Sequence, residues 1–349
     1  MAAHDSGIRA ASLLSRHLRI EGAPLPAALL SRFFRQAKFR RSPPPAVGSA
    51  VLQPSSTLAA GEAVICVDDA VAAQLAAAPP PPAAAAAAAA PRLELRVVHS
   101  ASADLVVVSK PPGAHSQDPR SGVLASLPAL EASLGAPRGS LRPVHRLDTP
   151  VGGLLCLART LDAARRLSAA LREGASGSSF LRGYIGLVPT ASVGAGPREG
   201  LLTFPVAPRG GGGGGLAGLP AATRFRVAAA GAAADGSALT ALLLAPLTGR
   251  RHQLRQHVAA AFGAPLLGDV LYGGGGGSKG GALGGRGAIG LHAAALRIAH
   301  CGGGGHGALE VADELPPPWA PLLARHGMDA SALLRQLPPF LREGAEETQ

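Results

Sequence analysis

Short apolar runs closed off by glycine or proline recur along the later two-thirds of the chain. They fall at 105–109, 154–158, 184–188, 239–245 and Leu291–Ile298. Runs of this length, rich in Leu and Val, predict strands. Between them, 161–172 and 251–262 carry helical spacing, with Leu167 and Leu171 on one face of the first. Strands and helices that alternate without a regular βαβ rhythm predict an α+β domain.

Upstream the pattern changes. Leu13, Leu14 and Leu18 form an apolar helical stripe, and a second helix is predicted over 26–37. Lys38-Phe39-Arg40-Arg41, a proline turn and a closing strand at 63–67 follow. Residues 71–92 are almost wholly Ala and Pro, the composition of a solvated linker. The expected division is therefore a small unit over 1–70, a linker over 71–92, a large domain over 93–328 and a tail over 329–349. Glycine runs at 210–215, 273–277 and 302–305 read as loop expansions. None has the order of a phosphate-cradling G-x-x-x-x-G-K-[ST] loop.

Composition sharpens this only in part. In 349 residues, Lys plus Arg number 33 and Asp plus Glu 22, a net charge of +11. Such an excess favours a polyanionic partner, nucleic acid ahead of membrane, through counterion release. Lysine occurs only at 38, 110 and 279, so biased codon usage alone would also enrich arginine. The 3 cysteines show no C-x-x-C spacing, and Cys66 and Cys156 sit in apolar runs as expected of buried free thiols. No apolar run is long enough to span a bilayer. The first residues carry Arg and few acids, in the manner of organelle transit peptides, although patterned sequence begins near Ile8. A mitochondrial or chloroplast location is expected ahead of the cytoplasm, and secretion is not expected.

The chemistry centres on Pro143-Val144-His145-Arg146-Leu147-Asp148, followed by Val151-Gly152-Gly153-Leu154-Leu155. A carboxylate delivered by a loop between an Arg/His run and a strand suits chemistry. The bland reading is a turn cap, because Asp148 precedes Thr149-Pro150. The string resembles the "HRLD" signature of RluA-type RNA pseudouridine synthases. Four further segments resemble that family in its order. Lys110-Pro111-Pro112-Gly113 resembles "K-P-x-G", and Arg182-Gly183-Tyr184-Ile185-Gly186-Leu187-Val188 resembles "K-x-Y-x-A-x-V". Thr248-Gly249-Arg250-Arg251-His252-Gln253-Leu254-Arg255-Gln256-His257 is similar to "T-G-R-T-H-Q-I-R-x-H", and runs on through Gly268-Asp269 to Leu271-Tyr272-Gly273. Leu291-His292-Ala293 through Leu296 to His300 resembles "L-H-A-x-x-L-x-F-x-H-P".

The resemblance implies an enzyme that isomerises uridine to pseudouridine in RNA; ribosomal RNA is expected ahead of transfer RNA because the small N-terminal unit resembles a ribosomal one. Its fold would be a bent, mainly antiparallel mixed sheet with a central basic cleft, and it would act without metal or organic cofactor; a monomer is the default expectation. Asp148 would be the catalytic carboxylate, Arg255 its cationic partner and Tyr184 an aromatic face for the uracil. Arg146, His145 and Lys110 would meet RNA, and Leu296 would wall the pocket. The N-terminal unit resembles the alpha-L motif of ribosomal protein S-four-type domains, which implies RNA contacts from Lys38, Arg40 and Arg41. Departures include Gly152 where the family commonly has serine. Two other classes stay open: a non-catalytic RNA-binding or ribosome-assembly factor on the same scaffold, and a metal-dependent hydrolase using His252 and His257. The i, i+5 spacing of those histidines does not bring both rings to one helical face.

Overall fold

In the computed structural model, backbone is described at 19–20, 23–24, 39–42 and 63–66, and the structure is described in full over most of 93–346, with gaps at 119–120, 174–178, 190–196, 208–217, 274–286 (except 283) and 300–307. Side chains are not described before 93, nor at Glu173 or beyond Glu343. The chain divides into two compact units, Met1–Ala90 and Pro91–Gln349.

In the first unit, β1 (Arg19–Ile20) pairs antiparallel with β2 (Ala23–Pro24). Strand β3 (Phe39–Ser42) pairs antiparallel with β4 (Ala63–Cys66), Phe39 opposite Cys66. The closing strand therefore forms where the apolar run placed it. Arg40 and Arg41 lie on β3. The helices expected upstream, Lys38 and the 71–92 linker lie outside the described residues.

The second unit is an α+β domain. Its strands are β5 (Arg96–His99), β6 (Leu105–Lys110), β7 (Arg142–Pro143), β8 (Gly152–Ala158), β9 (Phe180–Pro189), β10 (Glu199–Leu202), β11 (Thr223–Ala232), β12 (Ala238–Pro246), β13 (Leu291–Ile298) and β14 (Leu309–Ala312). They form one sheet in the order β10-β11-β12-β9-β13-β8-β6-β5, with β7 on β8 and β14 on β13. The β13–β8 pair is parallel and the other ladders are antiparallel. Five helices accompany the sheet among the described residues: α1 (Val123–Ser133), α2 (Leu161–Glu173), α3 (Gln253–Phe262), α4 (Trp319–Arg325) and α5 (Ala330–Glu346). All five predicted strands and both predicted helices are present.

Side chains alternate between the faces of the central strands, and both faces are covered. Tyr184, Val188, Leu242, Leu244, Leu254, Val258 and Leu291 share one core. Ile185, Leu187, Leu243, Ala294, Trp319, Leu337 and Phe340 share the other. Burial on both sides explains why these strands read as continuous apolar runs.

The expected tail over 329–349 needs correction. Most of it is α5, whose Leu333, Leu337, Phe340 and Leu341 are buried against the sheet. Their i, i+4, i+7, i+8 spacing is that of an amphipathic helix. Pro338 and Pro339 inside the helix obscured that signal.

Candidate active site

Residues 143–151 cross the end of the sheet from β7 to β8, and their backbone is fastened on several sides. Buried Leu147 and Val151 anchor the loop in the apolar core on either side of Asp148. The Leu147 N–H donates to Ser116 Oγ at 3.1 Å, and that hydroxyl donates to the Leu147 carbonyl at 2.8 Å. The Val151 N–H closes a turn on the Asp148 carbonyl at 3.0 Å, and the Thr149 carbonyl accepts from the Gly113 N–H at 2.7 Å. Asp148 thus spends its main-chain carbonyl on the turn and leaves its side chain free of it. The carboxylate is 16% exposed. Its Oδ1 lies 3.8 Å from Arg146 Nη2 and 3.9 Å from His252 Nε2, beyond hydrogen-bond length.

The carboxylate lines a cleft of about 220 Å³ with Arg146, Arg182, Tyr184, His252, Arg255 and Leu291. Arg182 and Tyr184 come from β9, two residues apart and so on one face of the strand. Tyr184 is 5% exposed. Burial pushes its phenol pKa up, Arg182 opposes this, and the Asp148 charge adds to the rise. Arg182 Nη2 donates to the Thr248 carbonyl at 3.3 Å, tying β9 to the 248–252 loop.

That loop is shaped by Gln253 at the start of α3. Its Oε1 accepts from Thr248 Oγ1 at 2.6 Å and from the Arg250 N–H at 3.1 Å. Its Nε2 donates to the Ala222 carbonyl at 2.8 Å and to Thr223 Oγ1 at 2.9 Å. The bend forces His252 into the left-handed region, φ 55°, as the non-glycine residue with positive φ among the described residues. The left-handed bend holds the imidazole beside the Asp148 carboxylate, 3.9 Å from Nε2 to Oδ1. Its Nδ1 is 3.0 Å from Tyr272 Oη.

Arg255 is buried on α3, but its hydrogen bonds run to Asp269. Nε and Nη2 meet the two carboxylate oxygens at 2.6 Å each, a bidentate pair. Burial works against the guanidinium charge, yet the Asp269 bonds and charges, with Asp148 nearby, leave its pKa above the ordinary value. The guanidinium also sits 5.1 Å from the centre of the Tyr272 ring. Arg255 therefore lies within electrostatic range of Asp148 while paired elsewhere, which corrects the expectation of a direct Asp148–Arg255 pair.

Three further expectations are corrected by burial. Lys110 is 1% exposed, with its ammonium turned inward, which fits a residue that orders the sheet edge rather than one that meets phosphate. Its Nζ donates to the carbonyls of Ala114 (2.8 Å), Pro111 (3.1 Å) and Thr149 (3.4 Å), clamping the Asp148 loop from below. Burial lowers its pKa from 10.5 to about 8, and the Asp148 charge opposes the drop. His145 is 7% exposed. Its Nε2 accepts the Cys156 N–H at 3.1 Å, and burial, with Arg182 nearby, lowers its pKa to about 3. It is a neutral structural residue at the cleft's inner edge. Leu296 is buried on the far side with Leu105 and Leu154, while Leu291 supplies the apolar wall. Arg146 lines the cleft with 47% of its side chain exposed. Cys156 is buried and in no disulfide, as expected.

The pieces that spacing alone did not single out are Lys110 as a clamp, His252, Asp269 and Tyr272. All four stand inside the quoted motifs, so the motif strings held the signal although the roles needed three dimensions. Among the described residues no group of three His, Cys, Asp or Glu side chains is placed to hold a metal, and no helix is long and apolar enough to cross a membrane.

The mixed sheet of the second unit has a counterpart among solved structures. Human RNA Pseudouridylate Synthase Domain Containing 4 superposes with a TM-score of 0.51 at 23% identity, covering 66% of this chain and 92% of that one. This likeness establishes the fold. At the sequence level, the RNA pseudouridylate synthase family model matches residues 104–260. An uncharacterized RNA pseudouridine synthase of Zymomonas mobilis is 34% identical over 191 residues, 52% of this chain and 80% of that protein. The chain belongs to the RNA pseudouridylate synthase family. Mitochondrial pseudouridylate synthase RPUSD4 of Xenopus tropicalis is 34% identical over 201 residues, 48% of this chain and 57% of that protein. Mitochondrial RNA pseudouridine synthase 4 of Arabidopsis thaliana is 35% identical over 194 residues, 48% of this chain. The chain spans only 57% and 39% of these two mitochondrial relatives.

Proposed function

We propose that this protein converts uridines in RNA to pseudouridine, with Asp148 as the catalytic carboxylate. The observation that carries the reading is the convergence of Asp148, Tyr184 and Arg255 on one cleft from a loop, a strand and a helix. The reaction breaks the bond between ribose C1′ and uracil N1, rotates the base and joins C1′ to C5. The C5 proton leaves and N1 gains one, so the atoms balance with no cofactor. Asp148 acts in the first step, by adding to ribose or base or by removing a proton to start an elimination. Among the described residues no hydrogen bond engages the Asp148 carboxylate, so it is available to the substrate in the cleft.

Tyr184 presents its ring to the flipped uracil, and Leu291 closes the apolar side. Arg146, at the mouth, fills the gap that the flipped nucleotide leaves in the RNA stack. Arg255, fixed by Asp269, is a stationary positive charge beside the reacting groups. Lys110 and Ser116 hold the Asp148 loop in place.

Ribosomal RNA is the proposed substrate class, ahead of transfer RNA. The alpha-L-like sequence of the N-terminal unit supports this, as does a relative from Eremothecium gossypii named as a 21S rRNA pseudouridine synthase, 32% identical over 142 residues. In the same reading Lys38, Arg40 and Arg41 extend the RNA contact. A mitochondrial location is proposed from the Arg-bearing N-terminus and the mitochondrial names of several relatives.

Incubating uridine-containing ribosomal transcripts with the protein, digesting them to nucleosides and separating uridine from its isomer tests the reading. Pseudouridine that accumulates with wild type and not with Asp148→Ala is expected. Intact RNA binding with no pseudouridine from any transcript would favour a non-catalytic binder.

A further inference from the structure

A second concavity of about 350 Å³ opens on the other side of Asp148. His115, Ser116, Gln117, Asp118 and Thr149 line its outer part. It shares Arg146, Leu147, Asp148, Arg251 and His252 with the first cleft, so those five side chains form a wall between two adjoining spaces. Its frame is rigid. Ser116 is bonded twice to Leu147, His115 Nδ1 is 3.1 Å from Thr149 Oγ1, and Lys110 ties the carbonyls of Ala114 and Thr149 together.

Arg251 has no ion pair or hydrogen bond among the described residues, and it is exposed on the rim of both spaces. The family string quoted above has threonine at this position. This unpaired guanidinium and half-exposed Arg146 line the same two spaces, so two cations border them. A bare anion does not suit the rest of the space, because Asp118 and Asp148 also face it. A nucleotide does suit it. Its phosphate sits at the arginine rim, and its ribose hydroxyl and base N–H groups donate to Asp118 and Gln117.

We infer that this second concavity is a subsite for the nucleotide adjoining the target uridine, with Arg251 binding the phosphate between the two. The inference rests on the RNA-directed reading above and deepens it. Arg251 is a specificity residue of the RNA path, and Gln117 is the neutral contact that distinguishes a nucleotide from a free anion.

The test uses full-length protein and a fluorescein-labelled uridine pentanucleotide, with anisotropy titrations across a series of salt concentrations. Arg251→Thr is a surface change that leaves the fold intact. It should weaken binding roughly tenfold, as expected for a lost charge-assisted contact, and flatten the log–log salt slope by about 0.7, one phosphate on a single strand. Gln117→Ala should weaken binding without changing the slope. Arg335→Thr, on α5 and paired with Asp329, should do neither. Unchanged affinity and slope in Arg251→Thr, or an equal change in Arg335→Thr, would overturn the subsite. A silent Gln117→Ala beside an active Arg251→Thr would overturn its nucleotide character. Release of tritium from C5 of labelled RNA by wild type is read in parallel. If wild type releases none while the slope change persists, the synthase reading fails and the subsite stands.

Discussion

Removing Asp269 is the perturbation on which sequence and structure part most sharply. If Arg255 partnered Asp148 directly, Asp269 would be a loop residue and its loss nearly silent. In the structure, Asp269 is fully buried and takes two 2.6 Å bonds from Arg255, and its Oδ1 also accepts the Leu271 N–H at 3.1 Å. The Asp269→Ala variant leaves a guanidinium whose side chain is 7% exposed without its counter-charge. Breaking a buried pair from one side destabilises by about 3–5 kcal/mol. At roughly 2–4 °C per kcal/mol for a domain of this size, melting should fall by about 6–20 °C. Because Arg255 also stacks on Tyr272, and Tyr272 touches His252, the variant should lose turnover as well as stability. Urea unfolding of both proteins gives the free-energy difference, and turnover measured well below the lowered melting point separates catalysis from unfolding. A difference under about 1 kcal/mol, the range of surface ion pairs, would refute the assigned pairing.

Replacing Tyr184 by Leu removes a ring whose stacking on a base is worth about 1–3 kcal/mol, so KM should rise roughly 5–150-fold; an unchanged KM would mean that the ring is only core. Lys110 gives a pH dependence. Below about pH 8 it is protonated in folded and unfolded chains alike and contributes no slope. Between about 8 and 10.5 the unfolded chain retains a proton that the folded chain has released, so the Lys110 contribution to stability rises with pH. Over the same window the charge beside Asp148 disappears, and kcat/KM should fall. Lys110→Met should lose both slopes, and denaturation and rate profiles that match wild type would count against the clamp. Gly153 has φ 111°, and a β-carbon there would sit 2.2 Å from the Ala293 carbonyl oxygen across the parallel β8–β13 pair. Gly153→Ala should abolish the cooperative melting transition. Gly139→Ala, at φ 75° in open space, should cost only about 1–2 kcal/mol.

The sequence made the strands and the Asp148 loop legible because both are local. An apolar run buried on two faces announces a strand, and the five motif segments place the loop, β9, α3 and β13 in order. What escaped was pairing across the fold. Arg255 and Asp269 are 14 residues apart, and only the turn of α3 and the following loop show that they meet. Lys110 looked like a cation at a strand end, but β8 and the Asp148 loop close over it. Leu296 was assigned by motif position, but it packs with Leu105, Leu154 and Phe180 while Leu291 lines the cleft, a difference that only the folded strands show. The missing helix α5 has a clear heptad-like stripe, hidden by two prolines that helices seldom hold in their interior. Strand β11, with Gly, Arg and a run of Ala, has too little apolar contrast to stand out before its partners are known.

The most direct test of the central claim uses RNA labelled with tritium at C5 of uracil, incubated with wild type and with Asp148→Ala. Joining C1′ to C5 must expel that tritium into water, so release reports the isomerisation itself. The account requires release by wild type and none by the variant, with both binding the RNA equally. Equal release by the two proteins would contradict the assignment of Asp148 as the catalytic carboxylate.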